Sequence, residues 1–148
     1  MSTKPENVER PDPRLVLVDT SVWIQFFRVP DSPEATALDV LLSLAPVATC
    51  APIRTEVVSG APTLREFRRL RELFGALVDL KLPEDVWNRL EEHRFTLARR
   101  GHQAAVVDII IALTAQAHQV ALWTLDRDFD KISSVIPLHT YRPEALPH

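Results

Sequence analysis

Leu15-Val16-Leu17-Val18 is apolar without a break and stops abruptly on Asp19, Thr20 and Ser21. A strand with one face in water alternates apolar and polar residues. An unbroken apolar run belongs to a strand covered on both faces, as in parallel sheets sandwiched between helices. Such a sheet requires crossover helices between its strands, and the run leaves an acidic residue at a strand's carboxyl end.

The same step recurs along the chain. Ser32-Pro33-Glu34 reads as an N-cap and first turn, leading into a helix with Leu38, Leu41 and Leu42 on one face and Pro46 at its end. Val47 to Cys50 reads as a second strand, and Pro52 opens a helix that carries Ile53, Glu56 and Val57 and closes at Gly60. Thr63 and Glu66 have capping-box spacing, and Leu64, Phe67, Leu70 and Phe74 follow at helical intervals before Gly75. Leu77 to Leu80 is a candidate strand, and Pro83 to Arg100 a long helix with Val86, Leu90 and Leu97 inward and Gly101 as its stop. Ala104 to His118 is apolar nearly all round, which places that helix in the centre; Val120 to Leu125 then reads as a strand ending at Asp126. Ile136 to Tyr141 is a candidate last strand. The expected fold is α/β, three layers with a central, mostly parallel sheet, in one domain over residues 14–148. In such sheets, sites form at the carboxyl ends of the strands.

Composition narrows the function. Residues 1–13 are charged, hold three prolines and lack an apolar stretch, so they read as a flexible leader and as neither a secretory signal nor an anchor. No apolar run approaches the roughly 18 residues of a membrane span. The one cysteine, Cys50, fits a reducing compartment, and the cytoplasm is the expected location. The formal charge of -3 argues against a nucleic-acid coat protein, though a local basic patch still attracts phosphates. With only Gly60, Gly75 and Gly101, the chain has no glycine-rich loop to admit a pyrophosphate, which nearly excludes a dinucleotide-binding domain. A phosphatase with a strand-end Asp nucleophile would need a second Asp where Ser21 stands.

Four acids sit in apolar or strand-terminal settings: Asp19 after VLV, Glu56 in IRTEVV, Asp108 in VVDIII and Asp126 after LWTL. An unpaired carboxylate in an apolar interior costs several kcal/mol, so such groups have a partner or a metal. Oxygen ligands without His or Cys suit Mg2+, with Mn2+ as a substitute, better than Zn2+. Such an ion on a carboxylate cluster suits phosphodiester hydrolysis. Thr20, Ser21 and Thr124 adjoin two of the acids and are placed to orient carboxylates or water; Asp128 is a candidate fifth acid and Arg127 a candidate phosphate contact.

Each residue also has a plainer reading. Asp108 suits an N-cap, Glu56 an ion pair with Arg54, and Asp126 with Asp128 a local turn. Arg65, Arg68 and Arg69 form either an RNA-guiding face or a solvated one, and Trp23 and Trp123 either stack on bases or fill a core or dimer contact. The histidines lack ligand spacing.

The strings VDTSVWI at Val18–Ile24, RTEVVSGA at Arg54–Ala61, VVDIIIALTA at Val106–Ala115 and WTLDRDF at Trp123–Phe129 resemble, in order, the four acidic motifs of PIN-domain nucleases. The resemblance runs from about Leu15 to Tyr141 and is greatest to VapC-type toxins of bacterial toxin–antitoxin pairs. It implies that Asp19, Glu56, Asp108 and Asp126 are the catalytic acids, with Asp19, Asp108, Asp126 and Asp128 as metal ligands. It further implies a Mg2+-dependent endoribonuclease acting on RNA, a homodimer, and a cognate VapB-type antitoxin whose C-terminal segment covers the active-site groove. The proline-rich leader departs from the pattern, since such toxins commonly begin near the first strand. The non-enzymatic alternative is a PIN-like regulatory module that binds an antitoxin or RNA without cutting.

Overall fold

The structure, a computed structural model, describes residues 13–143. The leader expected over residues 1–13 lies, apart from the exposed Pro13, outside the described residues. Four short strands form the sheet: β1 (Val16–Val18), β2 (Val47–Thr49), β3 (Val78–Asp79) and β4 (Ala121–Trp123). Their order is β3-β2-β1-β4, and every pairing is parallel. β1 lies between β2 and β4, with Val16 opposite both Val47 and Ala121, and all its residues are buried. The apolar run therefore forms an interior strand of an α/β sheet, as its lack of alternation requires.

Among the described residues seven helices make the crossovers and cover the sheet: α1 (Thr20–Arg28), α2 (Pro33–Leu44), α3 (Ala51–Ser59), α4 (Leu64–Gly75), α5 (Val86–Arg99), α6 (Val106–His118) and α7 (Asp128–Ile132). Local chemistry explains several of their starts. The Ser32 side chain accepts from Ala35 N at 3.1 Å with Pro33 in the first turn, and the Thr63 side chain accepts from Glu66 N at 3.2 Å. Each such cap satisfies an N–H that the helix itself leaves free and contributes about 1 kcal/mol. In α6, all residues from Ile109 to Ala115 are buried, so this helix forms the centre of the core.

The structure departs from the sequence reading at three elements. The segment after Asp19, to which no helix was assigned, is α1; its Val22 and Trp23 are buried and Phe26 packs against the core. The expected strand over Ile136–Tyr141 reduces to one parallel bridge, Leu122 to Thr140, with Leu122 N donating to His139 O and Tyr141 N to Leu122 O. Pro137 has no N–H to extend a ladder. The expected strand over Val120–Leu125 stops at Trp123, and the residues beyond it turn through the site into α7.

Candidate active site

Asp19 follows β1 directly and is the N-cap residue of α1. Its backbone N–H donates to Trp123 O at 2.9 Å, which continues the β1–β4 pairing into the site. The residue is only 4% exposed, so its carboxylate needs donors. Two hydroxyls supply them at one oxygen: Ser21 Oγ donates to Asp19 Oδ2 at 2.7 Å and Thr124 Oγ1 donates to the same atom at 2.8 Å. Each hydroxyl has one proton and spends it there, leaving its lone pairs for backbone donors. Leu125 N donates to Ser21 Oγ at 3.0 Å, and Asp126 N donates to Thr124 Oγ1 at 3.0 Å. The turn after β4 is thus tied to the start of α1 through Asp19. Oδ1 of Asp19 is left out of these bonds.

Asp126 and Asp128 lie on that turn, where Asp128 N donates to Asp126 Oδ1 at 2.9 Å. This is the local aspartate turn, and it coexists with a wider role, since it uses a single lone pair. Asp108 lies in the first turn of α6, whose N-cap residue is Ala105, so it is not the N-cap its position suggested. The start of α6 presents free N–H groups and the positive end of the helix dipole, which favour negative charge nearby. Carboxylate oxygens of Asp108, Asp126 and Asp128 all come within 4.8 Å of one another.

The other four acids act electrostatically on Asp108. Asp108 is pushed up from the usual carboxylate range to about 6, first by burial and then by the charges of Asp126, Asp19, Asp128 and Glu56. Carboxylates raise one another in this way when they converge without a cation among them. Glu56 is exposed on α3 and stands outside the close trio, though within electrostatic reach of Asp108.

The trio fits a hard divalent cation. Mg2+ is held by oxygens at about 2.0–2.1 Å, so neighbouring carboxylates must come within a few Å of one another without cysteine or histidine among them. Asp108, Asp126 and Asp128 meet both conditions, and the raised Asp108 marks a site where added positive charge would be favoured.

The remaining site candidates are placed less closely. Thr20 is buried with its hydroxyl in no hydrogen bond, so Ser21 and Thr124 alone hold the Asp19 carboxylate among the described residues. Arg127 is exposed, between Asp126 and Asp128 in the chain. Trp23 and Trp123 are fully packed, Trp23 against Phe26, Phe27 and Phe74 and Trp123 against Tyr141, and neither is free to stack on a base. Arg65, Arg68 and Arg69 are exposed on α4. The Leu125 and Asp126 backbone contacts escaped the sequence reading, because a turn's N–H groups leave no trace in residue types.

Comparison with known proteins agrees with this architecture. The PIN domain family model matches residues 16–135. Ribonuclease VapC11 of Mycobacterium tuberculosis is 31% identical over 128 residues, covering 84% of this chain and 96% of the relative. Among solved structures, VapBC-1 from nontypeable Haemophilus influenzae superposes with a TM-score of 0.70 at 16% identity, over 86% of this chain and 96% of that one. A toxin-antitoxin complex from Klebsiella pneumoniae gives a TM-score of 0.64 at 25% identity, over 88% and 99% of the two chains. Together with acids from the start of α6 and the turn after β4 converging at one place, these matches establish that the chain belongs to the PIN-domain family.

Proposed function

We propose that this protein is a metal-dependent endoribonuclease, the toxin of a VapBC-type pair, which hydrolyses RNA phosphodiester bonds at its acidic cluster. The observation that carries this reading is the approach of Asp108, Asp126 and Asp128 oxygens to within 4.8 Å, with Asp108 pushed up to about 6 by its acidic neighbours. Relatives named as VapC ribonucleases and structural neighbours named as toxin–antitoxin complexes support it.

Asp108, Asp126 and Asp128 would hold the cation, Mg2+ or Mn2+, with Asp19, outside that close trio, as a further ligand through the oxygen that Ser21 and Thr124 do not bond. Bound there, the ion supplies positive charge to a phosphate whose negative charge grows in the transition state. Ser21 and Thr124 hold the Asp19 carboxylate in one orientation, so its geometry is fixed before substrate arrives. Glu56, exposed and outside the trio, is assigned the proton of the attacking water. Arg127, exposed beside Asp126 and Asp128, is assigned a flanking phosphate.

A VapB-type antitoxin, a homodimeric state and a cytoplasmic location complete the reading. No described helix is long and apolar enough to cross a membrane. The test is incubation of total RNA with the purified chain and Mg2+, with EDTA, and with Asp108→Asn of matched folding. Fragments that appear only with metal and wild-type protein support the nuclease. Intact RNA in every lane, with antitoxin verified absent, overturns it in favour of a regulatory module that binds without cutting.

A further inference from the structure

The aromatic rings that the structure leaves in the open are not those beside the acids in sequence. Phe27 lies against Trp23 and Phe26, and Trp87 stands alone in the first turn of α5. Phe95, 66% exposed and two turns further along α5, differs from both: the Arg99 guanidinium lies 5.6 Å from its ring centroid, and the ring borders an open cavity of about 430 Å³. That volume falls within the roughly 300–1,000 Å³ of small-ligand sites. Glu91 and Arg94 share the cavity wall, three residues apart and so on one face of the helix.

The turn after α5 builds the rest of the wall. Gly101 has φ 82°, with Gly101 N donating to Ala98 O at 3.0 Å and His102 N to Leu97 O at 2.9 Å. These two bonds close the helix in a left-handed cap and send the chain back on itself, so His102, Gln103 and Ala104 also line the cavity. The same segment runs directly into α6. Asp108 comes four residues after Ala104, a span of at most about 14 Å, so the cavity and the acidic cluster meet at the start of one helix.

We infer that this cavity binds an unpaired guanine base of the RNA strand whose phosphate lies at the acidic cluster. The inference rests on the ribonuclease reading above and names the base beside the cut. Charge favours such an occupant: from His93 to Val107 the chain carries Arg94, Arg99 and Arg100 and no acid, next to a cluster that by itself repels phosphates. Sequence-specific RNA recognition works on unpaired bases stacked on aromatic rings, which is what Phe95 offers. The edges select the base. Guanine presents the acceptors O6 and N7 on one edge and the N1 and N2 donors on another, so it alone among the RNA bases gives a bidentate partner to a guanidinium and to a carboxylate together. Arg94 takes the first edge and Glu91 the second. Neither forms a hydrogen bond or ion pair among the described residues, whereas Arg89 on the same helix is held by Gln116 at 2.7 Å.

The test is fluorescence anisotropy of the purified full chain in EDTA with labelled nine-nucleotide RNAs, all uridine or with one central guanosine, adenosine or cytidine. Wild-type protein should bind the guanosine strand at least about tenfold more tightly than the others. Phe95→Ala should weaken binding of every strand by roughly tenfold or more, and Glu91→Gln or Arg94→Ala should remove the guanosine preference while leaving the all-uridine strand nearly unaffected. Trp87→Ala, exposed on α5 but outside the cavity, should change nothing. The altered side chains are all exposed, and circular dichroism checks that each variant folds. A wild-type chain that holds all strands equally, or none, overturns the inference, as does binding indifferent to Phe95→Ala. Because binding is read without metal, guanosine binding that depends on Phe95 in a chain that never cuts with Mg2+ would overturn the nuclease reading and uphold the base site.

Discussion

Asp19 and Asp108 are acids of the same cluster, held in opposite ways. Asp19 is nearly fully buried, yet one of its oxygens receives two hydroxyl donors that are themselves fixed by backbone N–H groups. Asp108 is only half-buried, but its ordinary carboxylate value is pushed up to about 6 by burial and by four acidic neighbours. The more buried of the two carboxylates is the one the fold supplies with hydroxyl donors. One side of the site is built in advance by the fold, and the other is left electrostatically unfinished, with a cation as its natural complement.

The largest expected effect tests the unfinished side. Asp108→Asn or Asp126→Asn should lower metal-dependent RNA cleavage by about a thousandfold or more, read as initial rates at saturating Mg2+. Retention of most activity in either variant would remove the distinction between the two sides. Next come the hydroxyls: Ser21→Ala and Thr124→Ala should each cost about 10–100-fold, with Ser21→Thr recovering part of the loss. An equal loss from Thr20→Ala, whose hydroxyl bonds to nothing among the described residues, would show that hydrogen bonds to Asp19 are not the cause.

A smaller effect is expected in pH dependence. Below about 6, Asp108 holds a proton that competes with the cation, so the apparent Kd for Mn2+ should rise about tenfold between pH 7 and pH 5, measured by titration calorimetry. The smallest concerns stability without metal. A carboxyl raised in the folded state favours folding fully below its ordinary value of 3.8 and loses that contribution as pH rises through about 6. Asp108→Asn should therefore raise Tm in EDTA by roughly 3 °C at pH 7.5, after discounting for its partial exposure, and the difference should vanish near pH 4. A variant that melts lower than wild type at pH 7.5 would mean that Asp108 is stabilised by something other than a cation.

The sequence carried the parallel sheet because β1 and α6 are apolar beyond what an amphipathic element needs, and that excess has one structural meaning. It carried the acids because a carboxylate set in an apolar string such as IRTEVV, VVDIII or LWTLD stands out, although Glu56 itself proves exposed. It did not carry α1, since Thr20 to Arg28 is rich in β-branched and aromatic residues, and its N-cap Asp19 makes no capping bond to announce a start. There, packing of Val22 and Trp23 overrides weak helix propensity. Nor could the sequence rank Asp128 against Glu56: only the turn after β4 brings Asp128 into the close trio, while Glu56 stays exposed on α3.

The pairing of β1 with β4 has a consequence in time. Asp19 is made long before the strand beside it and before the hydroxyl of Thr124, 105 residues further on, that completes its bonds. A parallel pair this distant in the chain closes a long loop before it gains any contact, so it forms late. On a translating ribosome the growing chain carries all of its first motifs and no working centre. Only after the segment through Asp128 has left the exit tunnel can the acids meet, so on the proposed reading a chain ended before it would not cut the RNA around it.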